Sequence, residues 1–464
     1  MQSFMKLQLL LFMGIIPFMG NAQPALEAYL QQALQGNIAL QQEQLSLEKS
    51  LAALQEAKQQ FLPTLSVQAR YSVADGGRAF TIPVGDLVNP VYQNLNALNE
   101  VAQSATPDYP TVPDYPMIDN VEENFLRSTE QETVVRLQMP VFNQAILRNQ
   151  RIQENLSEAS RLSVDQYKRA LVKEVKVAYY SYLQAREGLQ IVEEAQALLR
   201  ENLRTTQSLE AHHKVTKDAV YRAQAELSGV EQQIAEARQK EKVAQAYFNF
   251  LLNRPYDANI ETLQEVPAIA GEVPGLEAAQ AKALRGREEL ERFSFYEAAR
   301  HQQVALAKGQ RLPVVNLRAD YGIQGTGYEV DDGARFFLGA LVMSVPLFDA
   351  KTSSRIQQAK IGQREVEQQR RAAEQQLRLQ VVKAYYELEA AREQIQQAED
   401  AHAAAEQGFR LVRKKYEQGQ ANLLEFQQSR NQMTTAALRA SVAQLQYHVR
   451  LAVFEQATVA YPIP

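Results

Sequence analysis

Cysteine is absent from the 464 residues, which rules out disulfides, thiolate metal sites, a cysteine nucleophile and a cysteine acceptor for an N-terminal lipid. Charge of one sign is missing too. Lys and Arg number 49 against 54 Asp and Glu, so no global basic field draws in nucleic acid and no acidic tail is formed. Only one long apolar run occurs, Leu7 to Met19, behind Lys6 and ahead of Gly20-Asn21-Ala22. It falls short of the ~20 residues a spanning helix needs and is broken by Gly14 and Pro17. Residues 1–22 are therefore expected to be a cleaved export signal, with the mature chain starting at Gln23. With no second run of that length, the exported chain is expected to be soluble outside the inner membrane or to enter a membrane as β-strands.

Catalytic patterns are equally sparse. No clustered Ser, His and Asp spacing supports nucleophilic catalysis, and the chain is expected to be no enzyme and to need no cofactor. Adjacent His212 and His213 would point about 100° apart on a helix, with no acid four residues after His212, so they are read as solvated residues rather than a metal site. The acid pairs Glu193-Glu194 and Glu288-Glu289 are expected on charged helix faces. Gly322-Ile-Gln-Gly325-Thr-Gly327 opens no helix and is read as a hairpin turn at a strand end, not a phosphate loop.

What the chain does contain is a duplication. Ala178-Tyr179-Tyr180 falls on Ala384-Tyr385-Tyr386, Ala185-Arg186-Glu187 on Ala391-Arg392-Glu393, and Pro140 on Pro346, all at one offset of 206 positions (178 to 384). An ungapped match over that distance signals two copies of a long regular element. The first copy spans 23–262 and the second 263–464.

Each copy reads in the same order. Gln23 to Gln60 is helical with a break at Gly36-Asn37, ending near Leu62-Pro63, which Leu312-Pro313 echoes. Beyond the prolines the period becomes two: Leu65, Val67, Ala69, Tyr71 and Val73 alternate with Ser66, Gln68, Arg70 and Ser72, giving a strand with a dry and a wet side. Val135, Leu137 and Met139 alternate likewise, as do Leu317, Ala319 and Tyr321, whereas Phe337 to Val345 is apolar on both faces. β-Hairpins are thus expected over 64–140 and 313–346, the first enclosing a long irregular loop from Asp75 to Glu130. Four strands are too few to close a transmembrane barrel, which needs about eight, so membrane-spanning strands would have to be shared among several chains.

A stretch of some 70 residues without proline follows each hairpin, enough for a helix on the order of 100 Å long. A 4-3 seam runs through the first (Leu171, Val175, Ala178, Tyr182, on to Leu199 and Thr206) and through the second (Leu377, Val381, Ala384, Leu388, on to Phe409 and Tyr416). That repeat is a coiled-coil seam. His402 holds the slot of Gln196 and is read as a polar residue setting register. Breaks at His213–Thr216 and Gly419–Asn422 lead into returning helices with seams of their own, so helical hairpins are expected over 143–252 and 348–459.

The ordered set resembles the TolC family of outer-membrane efflux and secretion ducts. It comprises Leu-Pro before a strand, Met139-Pro140-Val-Phe142 and Val345-Pro346-Leu-Phe348 entering a long helix, Ala-Tyr-Tyr on that helix, and Tyr416-Glu-Gln-Gly419 at a tip. The resemblance implies a mainly α fold with a β-barrel portion. Three chains would share a twelve-stranded barrel in the outer membrane, continued into the periplasm by an α-helical tube of antiparallel coiled-coil hairpins. It implies a passive channel of a tripartite efflux or type I secretion system, a homotrimer in outer-membrane lipid served by a periplasmic adaptor and an inner-membrane pump, with no nucleic acid. Adaptor-binding tips would be His213, Lys214, Val215, Thr216, Gly419, Gln420, Ala421 and Asn422. A periplasmic gate would involve Asp218, Tyr416, Glu425 and Gln428, with Tyr416 and Asp218 bonding between neighbouring tips. The first tip departs from the family in having His213 for glycine, the second in having Asn422 for Ser or Thr. A periplasmic coiled-coil scaffold without a pore is the alternative, against which the alternating strands argue.

Overall fold

A computed structural model describes residues 24–262, 269, 273–328, 330, 331 and 333–461; the expected export signal lies outside them. In chain order the first copy gives α1 (Pro24–Gly36), α2 (Ile38–Gln59), β1 (Thr64–Val73), β2 (Ala79–Ile82), α3 (Val84–Ala105), β3 (Val121–Asn124), β4 (Thr129–Phe142), α4 (Gln144–Ala211) and α5 (Lys217–Leu251). The second gives α6 (Leu276–Gly286), α7 (Glu288–Gly309), β5 (Val314–Gly325), β6 (Arg335–Ser344), α8 (Ala350–Glu417) and α9 (Leu423–Ala457). Both ascending helices have 68 residues and both returning helices 35.

Two compact units cut across the copies. One holds most of the helices, drawn from residues up to 55, Asn149–Ala305 and the chain from Arg355; the other, Glu56–Arg148 with Leu306–Ser354, holds the strands and α3. In the helical unit the 4-3 seams are the buried lines. Leu171, Val175, Ala178 and Tyr182 are buried on α4, as are Leu377, Val381, Ala384 and Leu388 on α8. The Gly36-Asn37 break has a defined role. The Asn37 amide oxygen accepts from Leu40 N at 3.0 Å, capping α2, and its amide nitrogen donates to Leu251 O at 3.0 Å. α1 thereby lies against the base of the first helical hairpin, where Tyr29 meets Phe248 edge to face at 5.1 Å and Tyr179 packs beside both. α6 occupies the matching place on the second hairpin through Ala279 and Ala283.

Glu288 corrects the expectation of a solvated acid pair. It is buried, and Arg169 of α4 grips it through Nε at 2.9 Å and Nη2 at 2.6 Å while Nη1 donates to Tyr461 O. Glu289 is held by Arg287. A buried carboxylate is tolerated only with such a partner, and this partner lies more than a hundred positions away.

The second unit is an antiparallel sheet in the order β1-β4-β5-β6. Its register sets Val67 opposite Val135, Val135 opposite Tyr321 and Tyr321 opposite Phe337, so one face is an apolar row open to the surroundings. Gly322 lies inside β5, which corrects its reading as a turn residue. A Cβ there would stand 2.1 Å from Thr133 O on β4.

The region from Asp75 to Glu130 is likewise no irregular loop. β2 and β3 pair as a ribbon that prolongs the β1-β4 hairpin, and α3 stands at its end. Two asparagines of α3 work as backbone clamps. Asn89 uses both amide atoms on the N–H and carbonyl of Ile118, and Asn96 does the same with Tyr115. Gly85 lets the chain pass: a Cβ would meet Ile118 O at 2.4 Å.

Candidate functional site

The tips are built by one backbone solution used twice. At the end of α4, His213 N–H donates to Glu210 O at 2.8 Å and Lys214 N–H to Leu209 O at 2.8 Å; at the end of α8, Gly419 N–H donates to Tyr416 O at 2.9 Å and Gln420 N–H to Lys415 O at 2.7 Å. This paired pattern closes a helix when the residue after it adopts positive φ. His213 has φ 55° and Gly419 φ 72°. Glycine does so without cost, whereas a side chain there costs about 1 kcal/mol.

Each returning helix then starts from an extended N-cap, Thr216 or Asn422. Asn422 accepts from Glu425 N at 2.9 Å and its amide donates to the Glu425 carboxylate at 2.9 Å. The Thr216 hydroxyl makes no cap bond and donates instead to Asp218, which also pairs with Arg222 at 3.3 Å. The Thr216 hydroxyl, with Arg222 adding to it, holds the Asp218 carboxyl below its usual range.

His213, Lys214, Thr216, Gly419, Gln420 and Asn422 are exposed; Val215 and Ala421 are half-buried. Of the expected gate residues, Asp218, Glu425 and Gln428 are exposed, and Tyr416 lays its ring on Phe426 at 4.9 Å. Within one chain Tyr416 and Asp218 thus have separate partners. The second tip is the better anchored, since Phe426 also meets Phe409 at 5.5 Å, while the equivalent slots of the first tip hold Leu203 and Val220. Above the tips the buried Arg430 of α9 and the half-buried Glu226 of α5 form an ion pair joining the two hairpins.

A second group of candidate side chains depends on the folded register. On the sheet face opposite the apolar row, Asp320 is 1% exposed between Arg136, at 2.8 Å and 2.9 Å, and Arg318, at 2.8 Å; Gln68 also bonds Arg136. Arg70 pairs with Glu132 at 3.1 Å nearby. Alternation alone puts these residues on a wet face, but their pairing across strands depends on register. The sheet therefore has one charged, cross-braced face and one apolar face, with unpaired edges at β1 and β6. Among the described residues no helix is long and apolar enough to cross a membrane, and none of their His, Asp and Glu groups could hold a metal ion.

Residues 280–458 match the family described as Outer membrane efflux protein. The match covers most of the second copy. A search of curated protein sequences finds no match. Among solved structures the fold is similar to that of the outer-membrane channel OprN, with 16% identity, TM-score 0.76, and coverage of 95% of this chain and 91% of that one. It is also similar to the Campylobacter jejuni CmeC outer membrane channel (14% identity, TM-score 0.76, 94% and 85% covered) and to the Vibrio cholerae outer membrane protein VceC (17% identity, TM-score 0.72, 93% and 95% covered). At such identities the likeness is one of fold.

Proposed function

We propose that the chain is one part of a trimeric outer-membrane efflux conduit: three copies close a twelve-stranded barrel, and their helical hairpins extend into the periplasm. The observation that carries this reading is the sheet. A four-stranded sheet with an apolar outer row and two open edges cannot stand alone in lipid, because each unpaired backbone group would cost several kcal/mol. Identical copies pairing β1 with β6 remove every edge, turn the apolar row to lipid and enclose the Arg136-Asp320-Arg318 face as a polar lining. The family match over residues 280–458 supports the same reading. The chain makes and breaks no bond; it supplies a path, and energy comes from an inner-membrane pump acting through a periplasmic adaptor.

In this reading the adaptor docks at His213–Thr216 and Gly419–Asn422, whose largely exposed turns suit docking. Glu425 and Gln428 line the aperture, and Asp218 and Tyr416 of neighbouring tips bond when it is closed. The decisive measurement is single-channel conductance in planar bilayers together with heat-modifiable trimers in detergent; a water-soluble protein with no conductance would sink the conduit and restore the scaffold. Glu425→Ala is expected to weaken block by di- and trivalent cations about tenfold. Unchanged block would remove that carboxylate from the aperture.

A further inference from the structure

The seams of α4, α5 and α8 are covered by partner helices, but α3 carries a seam that stands exposed from Leu87 to Val101. Val84, Leu87, Val91, Asn94, Leu98 and Val101 follow the same alternation of three and four, and Leu87 is 72% and Leu98 64% exposed. The opposite side of α3 is taken: Asp86, Asn89 and Asn96 are bonded to the segment from Tyr115 to Asn120. The helix is therefore fixed on one side and apolar and open on the other.

Charge narrows what can cover it. Between Arg78 and Arg127 there are acidic residues but no lysine, arginine or histidine. A helix that lies on an anionic lipid surface needs a basic polar face, so such a surface is a poor match. The seam itself holds no charge, so identical faces do not repel. Asn94 at its centre is the residue type that pairs with its own copy in a coiled coil and fixes register and partner number.

Position supplies the partner. α3 stands on the ribbon that prolongs the β1-β4 hairpin, at the sheet end away from the start of α4. If β1 of one copy pairs with β6 of the next, every copy presents its ribbon and α3 at the same end of the barrel. We infer that the α3 helices of neighbouring copies pack along this seam as a parallel collar at the outer mouth, with the Asn94 amides paired across it. The inference rests on the three-copy barrel proposed above.

Because the chain has no cysteine, single replacements report without background. Asn94→Cys, in the seam, and Glu100→Cys, on another side of α3, are made in the full-length protein in its membrane and oxidised, with trimer mass measured for both. The collar predicts that Asn94→Cys forms disulfide-linked pairs at least about tenfold faster than Glu100→Cys, and that adding Leu98→Asp abolishes this gain with trimer mass unchanged. Equal rates in intact trimers overturn the collar. In the Asn94→Cys variant, quenching by spin-labelled lipid of a fluorophore attached to the introduced thiol would assign the face to lipid, and free reaction of that thiol with a bulky maleimide would show it bare; either result overturns it. Absence of trimers in both variants would instead count against the conduit itself.

Discussion

Two Ala-Tyr-Tyr motifs, related by one offset and set on helices of equal length, meet different fates. Tyr179 is 0% exposed, with its hydroxyl on Glu261 O at 3.1 Å, and Tyr180 stacks on His448 at 4.9 Å. Burial pushes the Tyr180 hydroxyl above its ordinary pKa. Tyr385 is half-buried against Phe454, and Tyr386 is 57% exposed. The seam residue Ala384 is as deeply buried as Ala178, so the duplication preserves the seam and lets its flank diverge. The first copy uses that flank within the chain, against α1 and α9. In the second copy it stays open, with Leu379 and Leu411 also exposed, and is available to a neighbouring copy.

That contrast can be broken directly. Tyr179→Ala should cost about 3–5 kcal/mol in denaturant unfolding, as large-to-small changes in cores do, whereas Tyr386→Ala should leave the midpoint within about 0.5 kcal/mol and loosen the proposed trimer instead. Equal costs would mean that the two flanks do the same job. Arg169→Met should cost about 3–5 kcal/mol by stranding Glu288, and adding Glu288→Leu should recover most of it. The equivalent residue Gln375 is exposed, and Gln375→Met should be silent.

Smaller effects separate the tips. His213→Gly should stabilise by about 1 kcal/mol, and Gly419→His should destabilise by about 1–2 kcal/mol, since both positions hold positive φ. Smallest is the cap contrast: Asn422→Ala should cost about 1 kcal/mol, but Thr216→Ala only a few tenths, because only Asn422 accepts a cap bond. Hydrogen exchange at the tip amides would read these differences. A Thr216→Ala loss equal to that of Asn422→Ala would show that the Thr216-Asp218 bond stabilises the turn as well as a cap does.

Much of the fold class was legible because seams and alternation are local and repeat. Leu171 to Tyr182 and Leu65 to Val73 declare a helix face and a strand face with no knowledge of what they touch. The region around α3 was not legible, because Asn89 and Asn96 carry turn-former chemistry and are used instead to hold an extended segment that lies further along the chain. Glu288 failed for a related reason: a carboxylate pair looks solvated until a distant arginine is brought to it. For the candidate site, the breaks at His213 and Gly419 could be located from the interrupted seam, but the Arg430-Glu226 pair and the Asp320 cluster depend on packing and register.

The matched helix lengths, 68 with 68 and 35 with 35, make reach a shared quantity of the two copies. In the proposed conduit, deleting one heptad from both arms of a single hairpin would keep its seam in phase yet withdraw its tip by about 10 Å, leaving a notched rim. The same deletion in both hairpins would shorten every stave together and keep the rim level, so length can change in this molecule only as a pair.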